Sequence, residues 1–202
     1  MPQITLRDSD IRLPLHRWLE GQPHDSPTSI VHELKLLRPT ARVDIAVING
    51  ELSGFEIKSD VDTLYRLPRQ VASFSAFFDR VCVVTTYRHA AAAAEVTPDW
   101  WDIVVADLQG DAYEPIFVRK GERNPGPSNG ALLAALTVKE LRTLLLSAGC
   151  PLVAESRKGA LVSAALELVE YETLRGSARD LLRARKLRAD QSVPSPQTTV
   201  PA

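Results

Sequence analysis

The sequence predicts a protein of the α/β class in its α+β form, with a central mixed sheet flanked by helices and a small C-terminal helical domain. Two alternating runs, ARVDIAVI and ELSGFEIKS, flank Asn49-Gly50, the dipeptide that most strongly indicates a hairpin. The β-branched run RVCVVTT predicts a buried strand. Apolar residues recur at helical spacing before and after these strands, so helices are expected to cover the sheet.

Two helices are predicted before the hairpin. The first begins at Asp10, a good capping residue, and runs to about Leu19 with its apolar residues on one side. The second is IVHELKLL, residues 30–37, in which apolar residues spaced by three and four form one stripe. Together they place two short helices at the start of the fold.

The elements after the hairpin alternate between helix and strand. A helix is expected near Pro68, because apolar residues recur from Leu67 to Phe78 at spacings of three and four. HAAAAAEV predicts a further helix, and DIVVADL and YEPIFVR predict two more strands. Trp100 and Trp101 could stack on bases, but beside a buried strand we favour packing into the core.

The length of the hairpin loop decides which side chains share a face, because side chains alternate along a strand and paired residues point the same way. A two-residue loop would pair Ile48 with Glu51 and divide the apolar residues between both faces. A three-residue loop with a glycine bulge collects them on one face: Val43, Ile45, Val47, Phe55 and Ile57. Since hydrophobic sorting specifies register, we expect the longer loop, which places Asp44, Glu56 and Lys58 on the opposite face.

This charged trio has a chemical and a structural interpretation. Two neighbouring carboxylates repel each other unless a cation lies between them, and Mg²⁺ is a hard ion that carboxylates hold together with waters and phosphate oxygens. Lys58 could then orient or help to deprotonate an attacking water and offset phosphate charge. The alternative is a solvated sheet face with ordinary cross-strand ion pairs.

The stretch RVDIAVINGELSGFEIKSD resembles the motif of the PD-(D/E)XK nuclease superfamily. The superfamily core is a restriction-endonuclease-like arrangement of a helix, three antiparallel strands, a helix and a further strand. The resemblance implies that Asp44 and Glu56 bind the metal, that the backbone carbonyl of Ile57 assists, and that Lys58 serves the water. The implied cofactor is Mg²⁺, with Mn²⁺ as an alternative.

Further positions follow from the same resemblance. It implies that Glu33 is the first-helix glutamate and Gln70 the glutamine of the helix after the motif, although a surface salt bridge explains Glu33 equally well. Phe74 stands where many members have tyrosine, and Val43 stands where the motif name has proline. Just beyond the motif, Arg66 and Arg69 are candidate phosphate contacts, with simple solvation of a helix flank as the alternative.

The predicted division of the chain is a main domain at 1–123, a linker at 124–136, a helical region at 137–188 and a disordered tail at 189–202. The linker assignment rests on ERNPGPSNG, which is dense in residues that favour turns. The tail contains too few large apolar residues to pack.

The helical region resembles the SAP-type helix–loop–helix motif that binds DNA. The resemblance implies a small core of six leucines: Leu136, Leu141, Leu144, Leu145, Leu161 and Leu166. It also implies phosphate contacts from Arg157 and Lys158, although Gly159 follows the lysine where the motif has its glycine before it. A helical hairpin that merely packs on the main domain is the alternative. Basic residues from Arg175 to Arg188 would add nonspecific, salt-dependent affinity.

Charge and hydropathy narrow the class of protein. The net charge of −1 argues against indiscriminate coating of nucleic acid, whereas residues 131–202 carry 10 Lys and Arg against 7 Asp and Glu. No stretch approaches the roughly 20 apolar residues that span a membrane. We therefore expect no membrane association and a cytoplasmic location, with Cys82 and Cys150 reduced.

These patterns lead to one principal hypothesis and two alternatives. The principal hypothesis is a Mg²⁺-dependent nuclease that hydrolyses DNA. A catalytically silent DNA-binding or regulatory protein that keeps the fold is the first alternative, and a protein-interaction module is the second. DNA is the expected partner, while RNA as substrate, a protein partner and a homodimer stay open.

Overall fold

A single mixed sheet of six strands organises the fold. The computed structural model describes residues 5–24, 26–36, 41–109, 112–150 and 157–191. Spatial order follows the chain: β1 Ser29–Lys35, β2 Arg42–Ile48, β3 Leu52–Lys58, β4 Arg80–Thr85, β5 Asp102–Gln109 and β6 Ala112–Arg119. The first three strands are antiparallel, β3, β4 and β5 are parallel, and β6 is antiparallel to β5.

Helices cover both faces of this sheet, as the sequence predicted. They are α1 Asp8–Gly21, α2 Leu67–Phe77, α3 Tyr87–Val96, α4 Asn129–Ala134, α5 Val138–Ser147, α6 Lys158–Leu168 and α7 Tyr171–Gln191. On one face, α1 packs through Ile11, Leu15 and Leu19 against a cluster that includes Ile45 and Val84. The other helices contribute to a larger cluster on the opposite face. This arrangement is a central mixed sheet flanked by helices and confirms the predicted fold class.

The predicted helix at residues 30–37 is wrong, because Ser29–Lys35 forms the edge strand β1. Its register with β2 runs from Ser29↔Ile48 to Lys35↔Arg42. A helix this short is marginal in water, whereas the segment pairs with β2 at six of its seven positions, and a strand suits its β-branched side chains. Position 37 lies outside the described residues. The correction gives the sheet three antiparallel strands at its start.

The first helix begins earlier than predicted. Asp10 is the third helical residue, not the cap, and its carboxylate accepts a hydrogen bond from the Arg7 backbone N–H at 2.8 Å. A carboxylate in the first turn also suits the positive end of the helix dipole.

The tryptophan next to β5 packs into the core. Trp101 is fully buried and stacks on Phe74, which confirms the preference for core packing.

Residues 124–136 were predicted to be a linker, but they include helix α4 and pack on α2. The buried Asn124 side-chain amide donates to the carbonyls of Ser75 and Phe78 at 2.6 and 2.7 Å. The Ser128 backbone N–H donates to the carbonyl of Ala76 at 2.8 Å. Pro and Gly favour turns but do not prevent such contacts, so this segment is anchored by hydrogen bonds to the end of α2.

The helical region shares the larger core with the sheet. Leu136, Leu141, Leu144, Leu145 and Leu161 are buried in the same cluster as the α2 phenylalanines. Leu166 was predicted to join them and is 47% exposed, whereas Ala165 is buried, because one residue along a helix turns a side chain by about 100°. Residues 189–191 belong to α7, and the rest of the predicted tail lies outside the described residues.

The last two features of the fold concern its cysteines and the apolar character of its helices. Cys82 is buried, Cys150 is partly buried, and both are free thiols. Within the described part of the chain, no helix combines the length and apolar character needed to cross a membrane.

Candidate metal centre

The hairpin has the three-residue loop that the sequence predicted. Ile48 pairs with Leu52, and the register continues to Ile45↔Phe55. Regular pairing with β3 ends there, before Asp44, and Val43 packs in the cluster opposite to that of Ile45 and Val47, so its predicted place beside them is wrong. Glu56 and Lys58 share one face of β3, as expected. That face is not solvated, because Gly54 on the same side packs under Phe78, where a Cβ would lie 2.7 Å from the ring.

Asp44 is held by a backbone group and by a side chain from α1. Its Oδ2 accepts a hydrogen bond from the Ile57 backbone N–H at 2.8 Å. Its Oδ1 accepts from Arg12 Nη2 at 2.8 Å, and Arg12 Nη1 donates to the Asp44 carbonyl at 3.1 Å. The carboxylate therefore bridges β2, β3 and the first helix.

Glu56 is the centre of a buried group formed with Lys58 and Gln70. Lys58 Nζ and Gln70 Nε2 both donate to Oε1 of Glu56 at 2.6 Å. Glu56 and Lys58 are only 3% and 5% exposed, so the interpretation of a solvated sheet face is wrong, although the ion pair itself is present. Glu56 Oε2 and Gln70 Oε1 have no hydrogen-bond partner among the described residues.

Burial and the nearby Asp44 carboxylate raise the pKa of Glu56 to about 7, against the opposing influence of Lys58 and Gln70. Desolvation is the largest cause, because a buried carboxylate loses the hydration that stabilises its charge. At neutral pH the side chain is therefore poised between its acid and its carboxylate, and a cation beside it would favour the carboxylate.

This raised pKa predicts a stability that falls with rising pH. In the unfolded chain the Glu56 carboxyl loses its proton near 4.5, whereas the folded protein retains it up to about pH 7. Folding therefore becomes less favourable as pH rises through this window, by roughly 3 kcal/mol for an unscreened group. Glu56→Gln should remove that component, which urea unfolding at pH 5 and pH 8 would measure.

The control for this experiment is Glu114→Gln, since Glu114 is exposed on β6. Its unfolding free energy should show the same dependence on pH as that of the wild type. Equal slopes for wild type and Glu56→Gln would contradict the assignment of the pH dependence to Glu56.

Glu33 does not lie on a helix, and the predicted role of a first-helix glutamate is wrong. It lies on β1 between His32 and Leu34, where the pairing with β2 is interrupted, in the left-handed backbone region with φ of 57°. A non-glycine residue there carries strain, which tends to occur at functional sites. Its carboxylate forms ion pairs with Arg12 at 3.3 Å and with Arg42. Arg12 therefore joins Glu33 to the candidate centre.

Arg12 is the residue that the sequence analysis missed. It also binds Asp8 at 2.7 Å, and these carboxylates raise its pKa further above its ordinary value. Its spacing of four from Asp8 indicated a helical ion pair but not a contact with a strand 32 residues away. The first helix therefore supplies a cation where the resemblance implied a carboxylate.

The donor set fits a hard cation in part. Glu56 Oε2 and Gln70 Oε1 are buried oxygens without a partner among the described residues, and both are ligand types suited to Mg²⁺. Asp44 would become a ligand once Arg12 releases its Oδ1. Among the described residues, no group of three or more His, Cys, Asp or Glu side chains is arranged to hold a metal. The candidate set is therefore two carboxylates, one amide and the Ile57 carbonyl.

The predicted phosphate contacts lie in two separate places. Arg66 and Arg69 are exposed at the start of α2, within one turn of Gln70. Arg157 and Lys158 are exposed at the start of α6, and Lys158 Nζ donates to the Ala134 carbonyl. The structure therefore brings only the first pair near Glu56.

Three of the basic residues of α7 form ion pairs within the chain. Arg175 is buried and forms an ion pair with Asp79 at 2.7 Å, and Arg185 pairs with Glu140 at 2.6 Å. Arg183 pairs with Asp180. The side chains of the last two basic residues of the run lie outside the described part. The expectation that Arg175 adds affinity for nucleic acid is wrong, because its guanidinium is inaccessible.

Comparison with known proteins points to a phage family. The family described as bacteriophage P4 protein cII matches residues 1–195. Among curated proteins, protein cII of Enterobacteria phage P4 is 29% identical over 142 residues, which are 69% of this chain and 53% of that protein. The chain thus spans about half the length of this relative.

A solved structure also resembles the chain over most of its length. It is the SPO1766 protein of unknown function from Silicibacter pomeroyi, with 18% sequence identity and a TM-score of 0.40. The similarity covers 96% of this chain and 97% of that one.

Proposed function

The chain belongs to the family of bacteriophage P4 protein cII, and for this member we propose a Mg²⁺-dependent nuclease that hydrolyses phosphodiester bonds of DNA. One observation carries the proposal. Lys58 and Gln70 both bind Oε1 of the buried Glu56, while Oε2 remains without a partner among the described residues and the negative charge of Asp44 helps to raise the pKa of Glu56. A buried carboxylate oxygen without a partner is costly unless a further group binds it.

The order of the elements supports this interpretation. The chain runs α1, β1, β2, β3, α2, β4, with three antiparallel strands followed by a strand parallel to β3. This is the order that the resemblance to the PD-(D/E)XK superfamily implies. The corrected strand β1 increases the agreement, since a helix in its place would have left only two antiparallel strands.

In the proposed mechanism, Glu56 and Asp44 would hold the ion with the help of the Ile57 carbonyl. A bound Mg²⁺ would polarise a phosphoryl oxygen and lower the pKa of a water. Gln70 fixes the orientation of Glu56, and the Thr85 hydroxyl donates to the Lys58 carbonyl at 2.8 Å, which fixes the end of β3. Lys58 is thereby held where its ammonium can orient the attacking water and offset developing negative charge.

A nuclease assay on four substrates tests the proposal. Wild-type protein would be incubated with single-stranded, duplex and branched DNA and with RNA, in Mg²⁺, Mn²⁺ or EDTA. We expect cleavage of a DNA substrate that requires the metal, and loss of cleavage in Asp44→Asn, because the amide cannot neutralise a cation. The matched control is Asp99→Asn, which removes a fully exposed carboxylate and should cleave like the parent. Cleavage in EDTA, or by Asp44→Asn at the parental rate, would contradict the proposal.

A catalytically silent DNA-binding or regulatory protein is the second candidate, and Arg12 favours it. Arg12 and Lys58 already form ion pairs with Asp44 and Glu56 within the chain. If these ion pairs are permanent, the same assay would give salt-dependent binding of DNA without metal-dependent cleavage.

A further inference from the structure

The surface beside Glu56 and Lys58 contains two unusually exposed aromatic side chains. Tyr65, just before α2, is 79% exposed, and Tyr87, the first residue of α3, is 69% exposed. Large aromatic residues normally bury most of their surface, because their transfer out of water is favourable. Two such residues near one candidate centre indicate a binding surface.

Strand pairing places both tyrosines at the same edge of the sheet as Lys58. Lys58 ends β3 and lies beside Thr85, which ends the parallel strand β4 two residues before Tyr87. Tyr65 lies one turn before Gln70, whose amide donates to Glu56. Both tyrosines therefore lie at the edge of the sheet where β3 and β4 end, Tyr65 before α2 and Tyr87 at the start of α3.

Three exposed arginines accompany the tyrosines: Arg66, Arg69 and Arg88. Within the described part of the chain, none of them lies within ion-pair distance of a carboxylate, unlike Arg12 or Arg80 elsewhere on the sheet domain. The nearby acids do not offset them fully, because Asp60 and Asp62 carry two negative charges against three positive ones. Asp62 accepts from the Ser59 backbone and hydroxyl, and Asp60 accepts from Leu6 and Thr86.

These hydrogen bonds also make the loop before α2 rigid. Asp60 joins the start of α1 to the start of α3, and its carbonyl accepts from Arg88 Nη1 at 2.6 Å. A loop held from three sides presents its exposed side chains with little loss of conformational entropy on binding. Tyr65 and Tyr87 are thus displayed on a preorganised support.

We propose that Tyr65 and Tyr87 form a stacking platform, with Arg66, Arg69 and Arg88 as its phosphate contacts, which binds an unpaired stretch of nucleic acid. Exposed rings can stack on bases only where the bases are not paired within a duplex, and guanidinium groups beside them attract the backbone. This proposal rests on the proposed nuclease function. The substrate of that nuclease would then be single-stranded DNA or the unpaired part of a larger DNA.

Binding in EDTA tests the platform without cleavage. Fluorescence anisotropy would follow a labelled oligothymidylate of about 12 nucleotides and a duplex of the same length with the wild-type protein. We expect tighter binding of the single strand. Tyr65→Ala and Tyr87→Ala should each weaken it by between about fivefold and about 100-fold, the usual range for loss of one stacked base.

The controls separate stacking from a structural role. Tyr65→Phe and Tyr87→Phe keep the ring and should bind within about twofold of the parent. Phe117→Ala removes a half-exposed ring from β6, two strands beyond β4, and should leave binding unchanged. Alanine variants that bind like the wild type, or phenylalanine variants that lose as much as alanine, would overturn the proposal.

The outcomes also distinguish this inference from the nuclease proposal. Tyrosine-dependent binding of the oligonucleotide without any cleavage in Mg²⁺ would support the platform and contradict the nuclease. Metal-dependent cleavage with parental binding by both alanine variants would contradict the platform alone. No binding of the single strand by the wild type would overturn the platform and point to a protein partner for this surface.

Discussion

Replacing Lys58 with alanine is expected to reduce Mg²⁺-dependent cleavage of DNA by on the order of 10³-fold, the scale of a group that acts in proton transfer or charge stabilisation. Two effects combine. The ammonium that orients the water is lost, and Glu56 loses the neighbour that lowers its pKa, so more of it is protonated at pH 7. Initial rates of cleavage at saturating Mg²⁺ would measure the combined loss of activity from both effects.

Raising the pH separates these two effects. At pH 9 the Glu56 carboxyl of the variant should be ionised again. If Lys58 acted only by lowering the pKa of Glu56, the cleavage rate of the variant would therefore recover at this pH. We expect no such restoration, because the water would still lack its ammonium. Lys58→Arg, which keeps the charge but places it differently, should restore less than a tenth of the parental rate.

Lys139→Ala provides the matched control, since Lys139 is exposed on α5. It should cleave like the parent. Thermal unfolding of Lys58→Ala would show that the folded state persists under the assay conditions. A Lys58→Ala protein that is folded and retains more than about a tenth of the parental activity would contradict the role assigned to Lys58.

Arg175→Met is expected to lower the free energy of unfolding by about 3–5 kcal/mol, the cost of leaving a buried charge without its partner. Arg175 and Asp79 are each 1% exposed and lie 2.7 Å apart. The remaining oxygen of Asp79 accepts from the Leu52 backbone N–H at 2.9 Å, and Arg175 also donates to Asn129. The variant would keep the carboxylate buried with a single backbone donor and the exposed Arg123 at 3.9 Å.

Urea unfolding of Arg175→Met and of Arg175→Met combined with Asp79→Asn would test the assignment. Because the second change removes the uncompensated charge, the double variant should be more stable than Arg175→Met alone. Arg69→Met, at an exposed position on α2, should change stability by less than about 0.5 kcal/mol. A loss below about 1 kcal/mol in Arg175→Met would show that the pair contributes little to stability.

This ion pair also explains why the division into domains was hard to predict. Asp79 follows α2, whereas Arg175 lies 96 residues later on α7, and their contact joins the helical region to the sheet. In the sequence, Arg175 belongs to a basic run, which normally indicates solvation or nucleic-acid binding. Only the packed structure distinguishes the buried arginine from the exposed ones.

The sequence by itself determined the hairpin, its register and the common face of Glu56 and Lys58. These features depend on the period of two along a strand and on the turn at Asn49-Gly50, both of which are local. The buried strand β4 and helix α2 were predictable for the same reason, since their apolar spacing needs no knowledge of distant partners.

Tertiary structure alone decided the remaining features. The segment Ser29–Lys35 has apolar spacing compatible with a helix, and becomes a strand because β2 pairs with six of its seven residues. Arg12 reaches Asp44 because α1 crosses the sheet there, and Glu56 is buried because α2 covers a face that the sequence pattern left open. Spacing along a chain specifies which side chains share a surface, whereas their charge partners and burial depend on groups that arrive from elsewhere in the fold.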